Sequence, residues 1–247
     1  MLKVSVITVA YNSEAYIART IESVLKQNYS QLEYLIIDGA STDRTVAIAK
    51  EYNNQFQEKG WDYHIVSEPD KGIYDAMNKG IKLATGDIVG IINSGDMYEA
   101  EAVNTAVSAF EDSECELMFG SLIICKVNGR KFLKKGKLRN IYQTSRDWNH
   151  PTMFVKSELY KKYPFQNKGI HDDYGFYLKM RKQNRYVMVV DKPMALFFMG
   201  GASNQKSLKA AWKRIHDRYC YCYRENGYSR LYFLECLFIE AAKWILS

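Results

Sequence analysis

Apolar positions in the first hundred residues come in short runs, and each run stops at polar or glycine-containing residues. Residues 4–10 (VSVITVA) are rich in β-branched side chains and break at Tyr11-Asn12-Ser13, which predicts a strand buried on both faces and followed by a helix cap. Ile17, Ile21, Val24 and Leu25 then recur at helical spacing, and a second apolar run, residues 34–37, ends at Asp38. The alternation continues with a helix over about 44–52, a strand over 63–67, a helix over 73–84 and a strand over 88–93. Such alternation predicts a mainly parallel sheet with helices on both faces, whose ligands bind beyond the carboxyl ends of the strands.

After a helix over 100–110 the pattern changes. Residues 117–125 and 131–133 read as strands joined through Asn128-Gly129, the sign of a two-residue hairpin turn. Helices over 157–163 and 173–183, a strand over 186–190 and two C-terminal helices, about 207–223 and 229–246, complete an α+β second half.

With 47% hydrophobic residues among 247, the chain can bury one large α/β core with appended helices, and it shows neither a linker nor a repeat. The N-terminus runs straight into a strand without a charged leader and apolar stretch, so the expected location is cytoplasmic. Cys115, Cys125, Cys220, Cys222 and Cys236 have no CxxC spacing and read as reduced structural thiols. Net charge is a moderate +6, with Lys and Arg concentrated among aromatics in the last fifth of the chain, a pattern suited to an anionic surface.

The early strands end in Ala10-Tyr11-Asn12, Asp38-Gly39-Ala40-Ser41 and Asn93-Ser94-Gly95-Asp96, so their polar ends converge at one edge. A carboxylate at Asp38 suits a uracil imide or ribose hydroxyls, and Gly39 lets the backbone pass close to a ligand; a turn with a helix N-cap accounts for the same residues. Asp96, on a glycine turn, suits a hard divalent cation meeting diphosphate oxygens, and equally a solvated turn. Between them lies Glu68-Pro69-Asp70-Lys71-Gly72, where Asp70 suits base or ribose, Lys71 a phosphate, and Gly72 opens a helix. That helix carries Asn78 and Gly80; glycine there costs about 1 kcal/mol against alanine, a sign of close packing or ligand approach.

These segments, taken in order, resemble the family 2 glycosyltransferases of GT-A fold over about residues 3–100. The resemblance implies a nucleotide-diphosphate sugar donor, UDP-linked by preference, a divalent metal (Mn²⁺ or Mg²⁺), and inversion at the anomeric carbon. Where the family carries an aspartate-x-aspartate metal turn, this chain keeps the single carboxylate of Asp96, with Asn93 as a weaker contributor. Asn12, Tyr11, Ala10, Asp70, Lys71, Asn78, Ser94 and Gly95 fall on the donor-binding motifs. The resemblance also places Asp173, beside Asp172, as the general base that an inverting transfer requires. Two neighbouring carboxylates push each other's pKa values apart, which favours one as a competent base; an acidic helix N-terminus complementing the dipole is the alternative account, and the donor-side motifs favour the base. His150 falls where the family contacts diphosphate or substrate, and Gly200-Gly201-Ala202-Ser203 resembles a loop that closes over the donor's phosphates.

The expected architecture is an α/β GT-A-like catalytic domain over 1–204, with a donor half (1–98) and an acceptor half (99–204), and a helical extension over 205–247. Residues 231–246 are too short and too interrupted by charge to span a bilayer. The basic, aromatic helix before them suits peripheral contact with the inner membrane face, or packing on the catalytic domain or on a second copy of the chain. The expected acceptor is a saccharide or lipid-linked saccharide of surface polysaccharide synthesis. The alternatives are a nucleotidyltransferase, for which the first turn lacks a phosphate loop, and a non-catalytic sugar-nucleotide-binding module; no nucleic-acid partner is expected.

Overall fold

The computed structural model describes residues 1–199 and 207–246, without the side chains of 243–246. Its first half is the predicted alternation: β1 (Val4–Ala10), α1 (Ile17–Leu25), β2 (Leu32–Asp38), α2 (Thr45–Lys50), α3 (Asn53–Glu58), β3 (Asp62–Ser67), α4 (Ile73–Leu83) and β4 (Ile88–Asn93). The helix expected over 44–52 is α2, and a second short helix, α3, follows it where none was expected. Strands β3, β2, β1 and β4 lie side by side and parallel. Period-2 alternation divides their side chains between two cores. Val4, Val6, Tyr34, Ile36, Ile88 and Ile92 face α1, whereas Ile7, Val9, Leu35, Ile37, Val89 and Ile91 face α4. Gly80 explains itself here: a Cβ would stand 2.6 Å from Ile7 Cγ2, so α4 packs directly on β1.

The register aligns the polar strand ends. Ala10 lies opposite Asp38, Asp38 opposite Ser67, and Val9 opposite Asn93, so the sheet itself brings the candidate donor residues to one edge.

Beyond β4 come β5 (Met97–Tyr98), α5 (Ala102–Glu111), β6 (Leu117–Cys125), β7 (Lys131–Lys134), a 3₁₀ turn (His150–Thr152), β8 (Phe154–Lys156), α6 (Ser157–Lys162), α7 (Asp172–Lys182) and β9 (Val187–Phe198). β8 joins the sheet antiparallel between β4 and β6. The sequence reading of β9 stops at residue 190, but the strand continues to Phe198. Two register shifts, on either side of the Ser121–Pro193 pair, absorb Asp191-Lys192 and then Met194, and the far end of the strand pairs with β5. That curl returns the chain to the Asn93–Asp96 turn. The hairpin also differs from expectation: Gly129 takes φ +79 while Asn128 stays out of the left-handed region. Gly129 N–H donates to Lys126 O, and Lys126 N–H donates to Arg130 O, closing a three-residue loop.

The C-terminal segment forms α8 (Leu208–Asp217), a π-helical stretch (Arg218–Arg224) and α9 (Tyr232–Leu246). It packs on α7: Tyr223 OH meets Tyr174 OH at 3.0 Å, Tyr223 stacks on Tyr232 at 4.3 Å, and Cys222 Sγ donates to His171 O. The C-terminal helices thus pack on the rest of the chain through α7. All five cysteines are buried and free, as the sequence suggests. No helix among the described residues is long and apolar enough to cross a membrane.

Candidate active site

The two acidic strand-end turns differ sharply. Asp38 is fully buried, and its carboxylate accepts from Ser41 N–H (2.9 Å), from Ser41 Oγ and from Ser67 Oγ (2.7 Å). With its oxygens engaged and no exposed surface, Asp38 braces the turn and does not present a free carboxylate to a base. Asn12, in the left-handed region at φ +44, completes that brace. Its Oδ1 accepts from Thr42 N–H, and its own N–H donates to Ser41 Oγ. Gly39 lets Asp70 approach the backbone, its carboxylate standing where a Cβ would be, with the exposed Tyr11 ring beside it. Ala10, Tyr11, Gly39 and Asp70 thus lie together; Asp70 is held by Gly72 N–H at 2.7 Å.

The second turn is under-satisfied. Gly95, at φ +102, donates to Thr20 Oγ1, but the buried Asn93 Oδ1 and Ser94 Oγ have no hydrogen-bond partner. Asp96 is only 5% exposed and accepts one bond, from Phe198 N–H at 3.1 Å. Burial pushes its carboxyl up to about 7, against the Phe198 N–H and the Arg19 guanidinium. Buried polar atoms without partners are rare and call for a ligand. A carboxylate, an amide oxygen and a hydroxyl are hard oxygen donors, so these residues fit Mg²⁺ or Mn²⁺, with waters and phosphate oxygens completing the shell. Among the described residues no cluster of three or more His, Cys, Asp or Glu side chains forms a self-sufficient metal cage.

Two of the expected site residues, Asn78 on the donor side and Asp172 beside the candidate base, are engaged in bonds within the protein. Asn78 engages Phe165 with both ends of its amide, Nδ2 to O at 2.8 Å and Oδ1 from N–H at 3.0 Å, so it ties α4 to the segment before α7. Asp172 likewise accepts from Lys168 N–H and Gly169 N–H, closing the loop ahead of α7. Burial raises its pKa. Lys71 is exposed at the head of α4, with Gly72 at φ +117. Gly200 and Gly201 lie outside the described residues.

Asp173 is placed differently from its neighbour. Its Oδ1 accepts from Tyr74 OH at 2.9 Å, and Oδ2 faces His150 Nδ1 at 4.0 Å. Burial, followed by Asp173 itself, keeps the Tyr74 phenol well above its ordinary pKa, so it remains a donor. Burial lowers the pKa of His150 despite Asp173, and its Nε2 is another orphan. Tyr74 sits one residue into α4 and so links the Asp70-Lys71-Gly72 motif directly to Asp173. Sequence alone assigns Tyr74 no role. Its donor position toward a residue 99 places away is visible only in the fold.

A parallel half-sheet with polar strand ends, continued by antiparallel strands, is the layout of a nucleotide-sugar-binding GT-A fold. Residues 5–187 match the family model "Glycosyl transferase family 2", and the chain belongs to that family. A PGL/p-HBAD biosynthesis glycosyltransferase of Mycobacterium bovis is 33% identical over 129 residues, 51% of this chain and 49% of the relative; the match spans about half that relative's length. An uncharacterized glycosyltransferase of Haemophilus influenzae is 25% identical over 85% of each chain. Among solved structures, S. aureus TarS 1-349 in complex with UDP-GlcNAc superposes with TM-score 0.65 at 22% identity, covering 98% of this chain and 66% of that one. The mannosyltransferase PcManGT from Pyrobaculum calidifontis, in complex with GDP-Man and Mn²⁺, gives 0.64 at 16% identity, covering 98% and 75%. These two likenesses show the GT-A fold.

Proposed function

We propose that this chain is an inverting glycosyltransferase that moves a sugar from a nucleoside-diphosphate donor, UDP-linked by preference, to a hydroxyl of a saccharide or lipid-linked saccharide in surface polysaccharide synthesis. The observation that carries the reading is the pair of orphaned oxygens at Asn93 and Ser94 beside the buried Asp96 carboxylate, at the same sheet edge as Asp38 and Asp70. Asp96, with Asn93 and Ser94, would hold a divalent cation, which supplies counter-charge to the donor's diphosphate when bound. Asp173 takes the acceptor hydroxyl's proton as the acceptor oxygen bonds to the anomeric carbon and the bond from that carbon to the diphosphate oxygen breaks. Tyr74 holds Asp173, and His150, kept neutral by burial, lines the same wall.

The division into a donor half (1–98), an acceptor half (99–204) and a helical extension (205–247) belongs to this proposal. So does peripheral attachment to an anionic lipid surface. Leu208, Trp212, Leu231, Leu234 and Phe238 are exposed on the C-terminal helices, beside exposed Lys209, Lys213 and Arg230.

The test is thermal stabilisation by a panel of UDP-, GDP- and dTDP-sugars with Mn²⁺, followed by transfer assays with the donor that binds. Stabilisation by no donor would overturn the reading. Asp173→Asn is expected to cut transfer by about a thousandfold or more while donor binding persists. A module that only binds would show no transfer to lose.

A further inference from the structure

We infer that Arg19 is a diphosphate-binding residue of this site, a permanent cation set beside the single-carboxylate turn; the inference rests on the donor-binding reading above. Helix α1 is fastened to the Asn93–Asp96 turn by one side chain. Gly95 N–H donates to Thr20 Oγ1 at 2.9 Å, and that hydroxyl donates to Asp96 O at 2.7 Å. Arg19 is the preceding residue and is therefore held at the turn's flank. Its guanidinium carbon lies 4.0 Å from the centroid of Phe198, the residue whose N–H binds Asp96, and 5.0 Å from that of Tyr16. Its Nη2 is 3.2 Å from where a side chain on Gly95 would begin.

A guanidinium packed against two rings is oriented before any ligand arrives. Yet this side chain makes no hydrogen bond or ion pair with any described residue, and its Nε is buried without a partner. Arginine donors beside orphaned acceptor oxygens form a mixed site. The oxygens suit a cation, and the fork suits the anion that cation accompanies. Only one carboxylate at the turn faces the diphosphate, so less negative charge is available to hold a metal. A fixed positive charge offsets the charge of the departing diphosphate without adding to the metal's load.

The experiment is calorimetric titration of the full chain with UDP and UMP, and with GDP and GMP, in Mn²⁺ and in EDTA. Arg19→Ala is expected to weaken nucleoside-diphosphate binding by about tenfold or more. Monophosphate binding should stay within about twofold, with the larger deficit in EDTA. Arg19→Lys should recover part of the loss, and Arg19→Gln, which keeps a stem for stacking, should not. Equal loss for both nucleotides, or loss for neither, overturns the role of Arg19. Wild-type protein that binds none of the nucleotides rejects the donor-binding reading itself.

Discussion

The turn at Asp38 and the turn at Asp96 look alike as sequence: each follows a buried parallel strand, and each combines an acidic residue with glycine and serine. In three dimensions they are opposites. Asp38 has its charge covered by serine and backbone donors and is sealed from solvent. Asp96 has one backbone donor and orphaned oxygens for neighbours. Motif order says where a site lies, but the count of satisfied hydrogen bonds says which acidic turn awaits a ligand.

The contrast is testable by exchanging its signatures. Asp96→Asn should abolish Mn²⁺-dependent stabilisation by the donor and lower transfer by about a hundredfold or more, measured by thermal shift and turnover. The metal-free variant should melt no lower than wild type, because a neutral amide replaces a carboxyl already disfavoured by burial. Asp38→Ala should do the reverse. Losing a buried acceptor of three donors costs about 2–4 kcal/mol in denaturant unfolding, while the residual folded protein still binds Mn²⁺ with donor. If Asp38→Ala removed donor binding at unchanged stability, the brace reading would be wrong.

How much of this is legible from sequence follows the distance over which contacts are made. The parallel half is readable because β1, β2 and β4 are self-contained apolar runs buried on both faces, and their pairing adds no new side-chain pattern; β3, at the sheet edge, is only partly buried. β5 is two residues long and carries no period, and β9 contains Asp191-Lys192-Pro193, which reads as a stop although the strand runs through it, with Asp191-Lys192 absorbed by a register shift and Pro193 paired with Ser121. The candidate residues of the strand ends are found at the predicted edge, but their individual duties are not readable. Ser67, which covers Asp38, is 29 residues away, and Phe165, which engages Asn78, is 87 away. Asp172 and Asp173 are adjacent in sequence, yet one closes a loop and the other meets Tyr74. Nothing local distinguishes them.

Tyr74→Phe probes the link between the two halves. The phenol donates to a carboxylate, a bond worth about 1.5–3 kcal/mol, so its loss should lower kcat by about tenfold while leaving the donor's KM within about twofold. Lower stability with kcat unchanged would mean that Tyr74 supports packing alone.

His150 gives the smallest expected effect and the most specific sign. Burial depresses its pKa in the folded state below the unfolded value of about 6.5. Between those two values the unfolded chain binds a proton that the folded chain refuses, so stability must fall as pH is lowered through that window. The slope contributed by this one site is at most about 1.4 kcal/mol per pH unit. His150→Gln should flatten that part of the profile below about pH 6.5, measured as the difference in urea unfolding free energy between variant and wild type. Asp173 opposes the effect by favouring the imidazolium, so Asp173→Asn should steepen the acid loss while His150 is present and leave it unchanged in the double variant. That coupling would place the imidazole and the proposed base in one electrostatic unit, and its absence would separate them.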